Sequence, residues 1–436
     1  MNNRRHFMRT GVAWASGLGV PWGMSRGEGN VRTQSRGTHS SLPNLRSQGY
    51  VIVTPEGPRD GGDFGKFTPG TMTAGIQEAI QHAKAHYLNL YIIGAQGDRK
   101  GGGNYAIQET IHIPPLQGFR IDGGEYVLSY QGKTGDAIHI DSCMDCWYKF
   151  GLITTRSTGA TVLFGPENPV PIDGFTVITD SAFEFSSIVG GGSFDLTSKK
   201  ISGGRGSGIK LDASAGSILW NRIFAVAVLL CDKGVYLTRA KSSHVVRSNW
   251  IQVLHNHQCH THLQLGDAED GEGVSLNRLD MSIESEGIPG SIGAQIFGQK
   301  NYLTLDVGGS AANQGVVFEP ESRDNVVNAL NIAHGFTNNA THPTNRIIPP
   351  WPAGFEVETP PIPPSERAVT NRNPLGVQVM FLQPGEVTEW TLSDAKGGSQ
   401  TVQAGLHAGQ NVALGPGDGI KFTYSTPPAW RWRSIG

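Results

Sequence analysis

The chain has 436 residues, a formal net charge of −2 and 17% charged residues, below the usual quarter for a soluble domain. That length allows one large domain or two to three ordinary ones around a substantial core, and a near-neutral chain without a basic patch makes no case for nucleic acid as a partner. Glycine is the outlier at 59 residues, roughly double the ~7% average; its scatter excludes a collagen repeat and points to many turns that need positive φ.

The N-terminus reads Asn3-Arg4-Arg5-His6-Phe7-Met8-Arg9, followed by a mildly apolar segment from Thr10 to about Met24. Paired arginines, a Phe two residues beyond them and a weakly hydrophobic stretch resemble a twin-arginine export signal. An ordinary basic signal n-region is the plainer alternative. The resemblance implies export to the periplasm or beyond, with membrane contact only if the signal is retained. No later apolar stretch approaches the ~20 residues of a membrane span. Ser25 to Gln48 is rich in Ser, Gly, Arg and Thr and reads as a disordered spacer, so signal and spacer together occupy 1–48.

Order begins near Tyr50 with a strand at Val51–Val53. Asp63-Phe64-Gly65 follows, and then a helix expected over Thr71 to Tyr87, with Ile76, Ala79, Ile80, Ala83 and Tyr87 on one face. Thr73 is its expected N-cap. Further strands are expected at Leu90–Ile93, Ile111–Ile113 and Phe119–Ile121. The pairing of Asp63-Phe64-Gly65 with Gly75-Ile76-Gln77-Glu78-Ala79-Ile80 resembles the N-terminal cap of pectin-lyase-like β-helix proteins. A solenoid exposes core and unpaired backbone at each open end, and an amphipathic helix covers both.

Beyond Asp122 the chain is a series of short β-type runs punctuated by Gly, Asn, Asp and Ser, with no crossover helices between them. Examples are Thr161–Phe164, Gly208–Leu211, Trp250–Val253, Leu279–Ile283 and Gly315–Phe318. A doubly wound α/β sheet would need those helices; a β-sandwich is the remaining alternative. Asn221, Asn249, Asn277, Asn301 and Asn325 recur every 24 to 28 residues, the size of one three-strand coil. In the fold this resembles, such asparagines stack at a turn. The expected class is therefore all-β: a right-handed parallel β-helix over 49–341, with an N-terminal capping helix.

Nine prolines crowd into 342–374, which reads as an extended connector. Residues 375–436 carry β-type runs at Val377–Phe381, Thr388–Leu392, Asn411–Leu414 and Ile420–Tyr424, with Trp430 and Trp432 near the end. This small β-sandwich-like module resembles C-terminal modules of phage tail and tail-like proteins. The resemblance implies sugar binding, capping of the solenoid or a homotrimer.

The four cysteines, Cys143, Cys146, Cys231 and Cys259, are too few for a disulfide scaffold. The Cys143–Cys146 CxxC has no second pair for zinc, so buried thiols or a disulfide are expected.

The fold resemblance implies a polysaccharide partner. Two chemistries are expected of it: hydrolysis by carboxylates on neighbouring coils, or β-elimination by a base that removes the proton α to a uronate carboxylate. The Asn-Thr-Asp, Asp-Asp, Gly-His-Gly and Arg-Ile-Lys motifs of polygalacturonase-like hydrolases are absent from the sequence. That favours an exported lyase acting on a uronate-containing glycan. A hydrolase, or a non-enzymatic tail-spike-like binding protein, is the alternative.

The expected catalytic residues are Asp280, Glu284, Arg247 and His255, with Lys210, Arg239, Lys241 and Arg278 binding substrate. Arg278, Asp280, Ser282 and Glu284 share one strand face, but Asp280 and Glu284 are ~13 Å apart along it, so a neighbouring coil must contribute. His255, His257, His260 and His262 form the densest histidine cluster. It reads first as a polar turn, and no metal is assigned to it. The acidic loop Asp267 to Glu272 lacks the EF-hand pattern; Ca²⁺ is a candidate cofactor there, and a solvent loop the plainer reading.

Overall fold

A computed structural model describes residues 42–435, except 95–103, 124–125, 172, 196, 199, 204–205, 269, 285–287, 309–313, 333–334 and 350–356. The export signal and most of the spacer lie outside the described residues. The spacer's last residues form a short helix, Leu42–Ser47. Arg46 fastens it, pairing with Asp63 at 3.0 Å and donating to the Gly61 carbonyl at 2.6 Å.

The body is a right-handed parallel β-helix. Sheet A has thirteen strands, between Tyr50–Val53 and Arg346–Ile348. Sheet B has nine, from Ile111–Ile113 to Phe336–Asn338. Sheet C has six short strands, from Leu116–Gln117 to Val274–Ser275, continued by single bridges through Gln299 and Arg323. Each coil passes from C to A to B, as in Val246–Arg247, Trp250–His257 and Thr261–Leu265. Alternation sends one side of every strand inward: Ile223, Ile251, Leu279, Leu303 and Val327 share one register and are all fully buried.

The corner between C and A holds the expected asparagine stack, which runs one rung further, to Asn345. Each Asn Oδ1 accepts the backbone N–H and the side-chain amide of the rung before it, from Asn221–Asn249 at 3.1 and 3.0 Å to Asn325–Asn345 at 3.2 and 2.9 Å. Toward the N-terminus Ser181 is the equivalent rung; it accepts the Cys146 N–H at 3.0 Å. The residue before each rung turns the chain with positive φ. Asp145, Asp180, Trp220, Ser248, Leu276, Lys300 and Asp324 all lie between 51° and 59°, a conformation most side chains avoid.

The capping helix is shorter than its periodicity predicts. It spans Ile76–Ala85, with Gly75 as N-cap at φ 82°. A Cβ on Gly75 would sit 2.4 Å from the Gly65 nitrogen. The two glycines of the resembled cap motif are therefore needed because their backbones touch. Thr73 still caps in part: its Oγ1 accepts the Gln77 N–H at 3.1 Å. Gln77 covers the open end of sheet B. Its Oε1 accepts the His112 N–H at 2.7 Å, and its Nε2 donates to the His112 carbonyl at 2.9 Å.

At the other end, two antiparallel sheets of four and three strands form the C-terminal sandwich around Phe381, Phe422, Trp430 and Trp432. Two strands fall inside the proline-rich range: Arg346–Ile348 belongs to sheet A and Ala368–Thr370 to the sandwich. The connector packs on the module, where the Trp430 indole donates to the Pro360 carbonyl at 2.9 Å and Tyr424 to that of Pro363 at 2.8 Å. Leu375 is fully buried within the solenoid core, and the Ile347 N–H donates to Pro374 at 2.6 Å. The module thus closes the last coil.

Candidate functional site

The register of sheet A builds an outward column beside the asparagine corner. It runs Arg120, Trp147, Ala182, Arg222, Trp250, Arg278, Tyr302. Cations and aromatic rings alternate over most of it. The Arg120 guanidinium lies 4.0 Å from the Trp147 ring centre. Trp250 lies between Arg222 and Arg278, each at 5.1 Å, a cation–π arrangement. The Trp250 indole N–H donates to Asp280 Oδ2 at 2.8 Å, and the Arg278 Nε donates to the same oxygen at 3.2 Å.

The column is interrupted at Ala182, where a shallow, open groove of about 600 Å³ runs along the corner. Trp220 and Trp250 line it, together with Arg222, Asp145, Asp180 and Ser248. Trp220 is 62% exposed and Trp250 37%, well beyond what buried aromatic residues show. Trp220 stands out from the wall because its φ of 53° turns the chain just before Asn221. Asp145 and Asp180 occupy the same position on successive coils, each next to a residue of the paired Met144 and Thr179. Among the described residues Arg222 has no ion-pair partner; its contact is the ring of Trp250.

The eight site residues expected from the sequence do not meet in one place. Asp280, Glu284 and Arg278 share the outer face of one sheet A strand, and Asp280 is engaged by Trp250 and Arg278. His255 is exposed on the preceding strand, where the register to the next coil shifts between Val253 and Asn256. Arg247 lies across the corner, on sheet C. Lys210 is on sheet B, paired with Asp212 at 2.7 Å. Arg239 is in an ion pair with the buried Asp270, and Lys241 is in the turn that follows, at φ 64°.

Alternation breaks at the register shift, so that Leu254 and His255 are both exposed; His257 is half-buried, and His262 does not join an outer face. It is fully buried, with Nδ1 3.1 Å from Asn256 Oδ1. Burial, aided by the neighbouring His257, pushes its pKa down to about 3. The acidic loop is tied into sheet B. Asp267 accepts from Tyr236 at 2.7 and 2.8 Å and from Gln264 at 2.9 Å. Among the described residues no group of three His, Cys, Asp or Glu is placed to hold a metal ion. All four cysteines are buried free thiols.

The groove residues escaped the sequence reading, although one signal was present: Trp220 and Trp250 directly flank ladder asparagines. Together the fold and the groove define a capped parallel β-helix with an aromatic-lined cleft along one corner. No protein-family model matches the chain, and no curated protein matches it in sequence. Among solved structures it is similar to the Dettilon tailspike protein, at 12% identity and a TM-score of 0.33, over 89% of this chain and 94% of that one.

Proposed function

We propose that the protein binds a polysaccharide in the corner groove, as an exported surface-acting protein. The observation that carries this is the pair of exposed tryptophans, Trp220 and Trp250, on one 600 Å³ groove with Arg222 and two carboxylates. Sugar rings have apolar C–H faces and polar rims, and mostly apolar sites with a few placed polar groups suit them. Arg222 supplies fixed donors, while Asp145 and Asp180 accept from hydroxyls.

Hydrolysis is the second reading, favoured by Asp145 and Asp180 on successive coils. One coil step of ~4.8 Å is close to the ~5–5.5 Å carboxylate separation of retaining glycosidases. A β-eliminating lyase on a uronate glycan is the third. In this groove Arg222 would hold the uronate carboxylate, but a guanidinium that stays protonated is a poor base.

The test is a panel of galacturonate, mannuronate and xylose hexasaccharides. Binding is measured by calorimetry, and products by reducing ends and 235 nm absorbance. Binding that falls at least tenfold in Trp220→Ala and Trp250→Ala supports the groove. Reducing ends that vanish in Asp145→Asn or Asp180→Asn favour hydrolysis, and absorbance at 235 nm favours elimination. Binding unaffected by both tryptophan variants refutes the groove. Export is part of the same proposal and rests on Arg4 and Arg5; an Arg4→Lys, Arg5→Lys chain should remain in the cytoplasm on fractionation. A homotrimer, suggested by the C-terminal module, is checked by light scattering.

A further inference from the structure

The column on sheet A contains two tryptophans in the same pose. The Trp250 indole N–H reaches Asp280, two residues along the next coil's strand from Arg278. The Trp147 indole N–H reaches Glu184 at 3.4 Å, two residues along the next coil's strand from Ala182. Each tryptophan has an arginine from the preceding coil on one face: Arg222 on Trp250 and Arg120 on Trp147. On the other face Trp250 has Arg278. At the matching position beside Trp147 the column has Ala182, whose side chain is a methyl group.

We infer that Ala182 is a vacant rung of this stack, and that one pyranose ring of the bound glycan fills it, lying on Trp147 with Arg222 on its far side. This rests on the groove reading above and names a subsite at the groove's edge, where Ala182 and Arg222 line it and Trp147 is the neighbouring residue of the column. The spacing fits. Strands for Trp147 and Arg222 are two coil steps apart, ~9.6 Å at ~4.8 Å per step, so a ring midway lies ~4.8 Å from each. The filled rungs of the same column stand 4.0 and 5.1 Å apart. A chair pyranose, with C–H bonds on both faces, is thicker than a flat arene and suits that gap. Its equatorial hydroxyls would meet Asp145 and Asp180, which line the groove beside Ala182. Ala182 then sets specificity by its small size.

The test compares Ala182→Arg, which supplies the missing rung, with Ala182→Gly, which leaves the space open. Both lie on the outer face, so folding is checked by the thermal midpoint. For whichever of the three hexasaccharides binds wild type, Ala182→Arg should raise Kd at least tenfold and Ala182→Gly less than threefold. Trp147→Ala should also weaken binding tenfold. If Trp220→Ala weakens binding but Ala182→Arg does not, the groove reading stands and the vacant rung is refuted. Equal losses in Ala182→Gly and Ala182→Arg refute it as well, since filled space would not be the cause. If none of the three binds wild type, both readings fall.

Discussion

Replacing Asn277 by Ala should cost the solenoid about 4 kcal/mol. Asn277 is 1% exposed, and its side chain makes four hydrogen bonds. Oδ1 accepts the Asn249 N–H and the Asn249 amide, both at 3.1 Å. Nδ2 donates to the Val246 carbonyl at 3.0 Å and to Asn301 Oδ1 at 3.1 Å. Each bond contributes ~1 kcal/mol net, and buried partners left unpaired cost ~1–3 kcal/mol each, so ~4 kcal/mol is a restrained sum. That is a large share of the ~5–15 kcal/mol that holds a typical domain. Ser181 supplies an internal control. It fills the same rung with one hydroxyl, which accepts the Cys146 N–H at 3.0 Å and donates to the Thr179 carbonyl at 2.8 Å. Asn277→Ser should therefore lose roughly half as much, ~2 kcal/mol. Urea unfolding followed by circular dichroism reads both, and amide exchange at Asn249 localises the damage. A loss below about 1 kcal/mol for Asn277→Ala would mean that water or a shifted backbone replaces the ladder, and the reasoning would be refuted.

Other consequences follow from the same geometry. Leu276→Gly relieves a φ of 57° at a side chain that is 42% exposed. It should stabilise the protein by up to ~1 kcal/mol, the left-handed cost less the added chain entropy; a lower urea midpoint would contradict this. Gln77→Ala uncovers the end of sheet B at His112. It should cost ~2 kcal/mol and speed exchange of the His112 amide selectively. His262 is held neutral, with its pKa lowered from 6.5 to about 3. The unfolded chain thus binds the extra proton first, and stability present above pH 6.5 is lost as pH falls toward 3. His262→Gln should flatten that part of the acid-unfolding curve relative to wild type; parallel curves would rule out the assignment.

The parts legible in the sequence are those that repeat at nearly constant spacing. From Asn221 to Asn325 the coils measure 24 or 28 residues, so the ladder asparagines and the inward apolar residues recur at fixed distances. The cap was legible for a different reason: Gly65, Gly75 and Gln77 touch fixed backbone, which restricts each to one residue type. The groove had neither advantage. Trp147, Ala182, Arg222 and Trp250 are 35, 40 and 28 residues apart in sequence yet share one register. The insertions that spoil the period are the loop gathered by Asp141, which accepts the N–H groups of Glu167 and Asn168 at 2.7 and 3.0 Å, and the hairpin of Gly192–Asp195 with Lys200–Gly203. Both lie in the coils that flank Ala182.

The spacing of Asp280 and Glu284 places both on one outer face, and that placement is what the structure has. Alternation cannot say which outer residues are already paired. Asp280 accepts from a tryptophan on the preceding coil and from Arg278 on its own strand, so it anchors the stack that walls the groove. The carboxylates that line the groove, Asp145 and Asp180, sit instead at left-handed corner positions. The same corner that stacks the asparagines inward turns the preceding side chain outward. One structural device therefore builds both the core ladder and the wall of the groove, and it ties ligand binding to ladder integrity. Asn221 lines the groove and bonds Asn249. Asn221→Ala should therefore weaken hexasaccharide binding as well as stability, whereas Asn325→Ala, four rungs away and outside the groove, should lower stability alone. Calorimetry at a temperature where both variants are folded separates the two effects, and equal binding losses would refute the coupling.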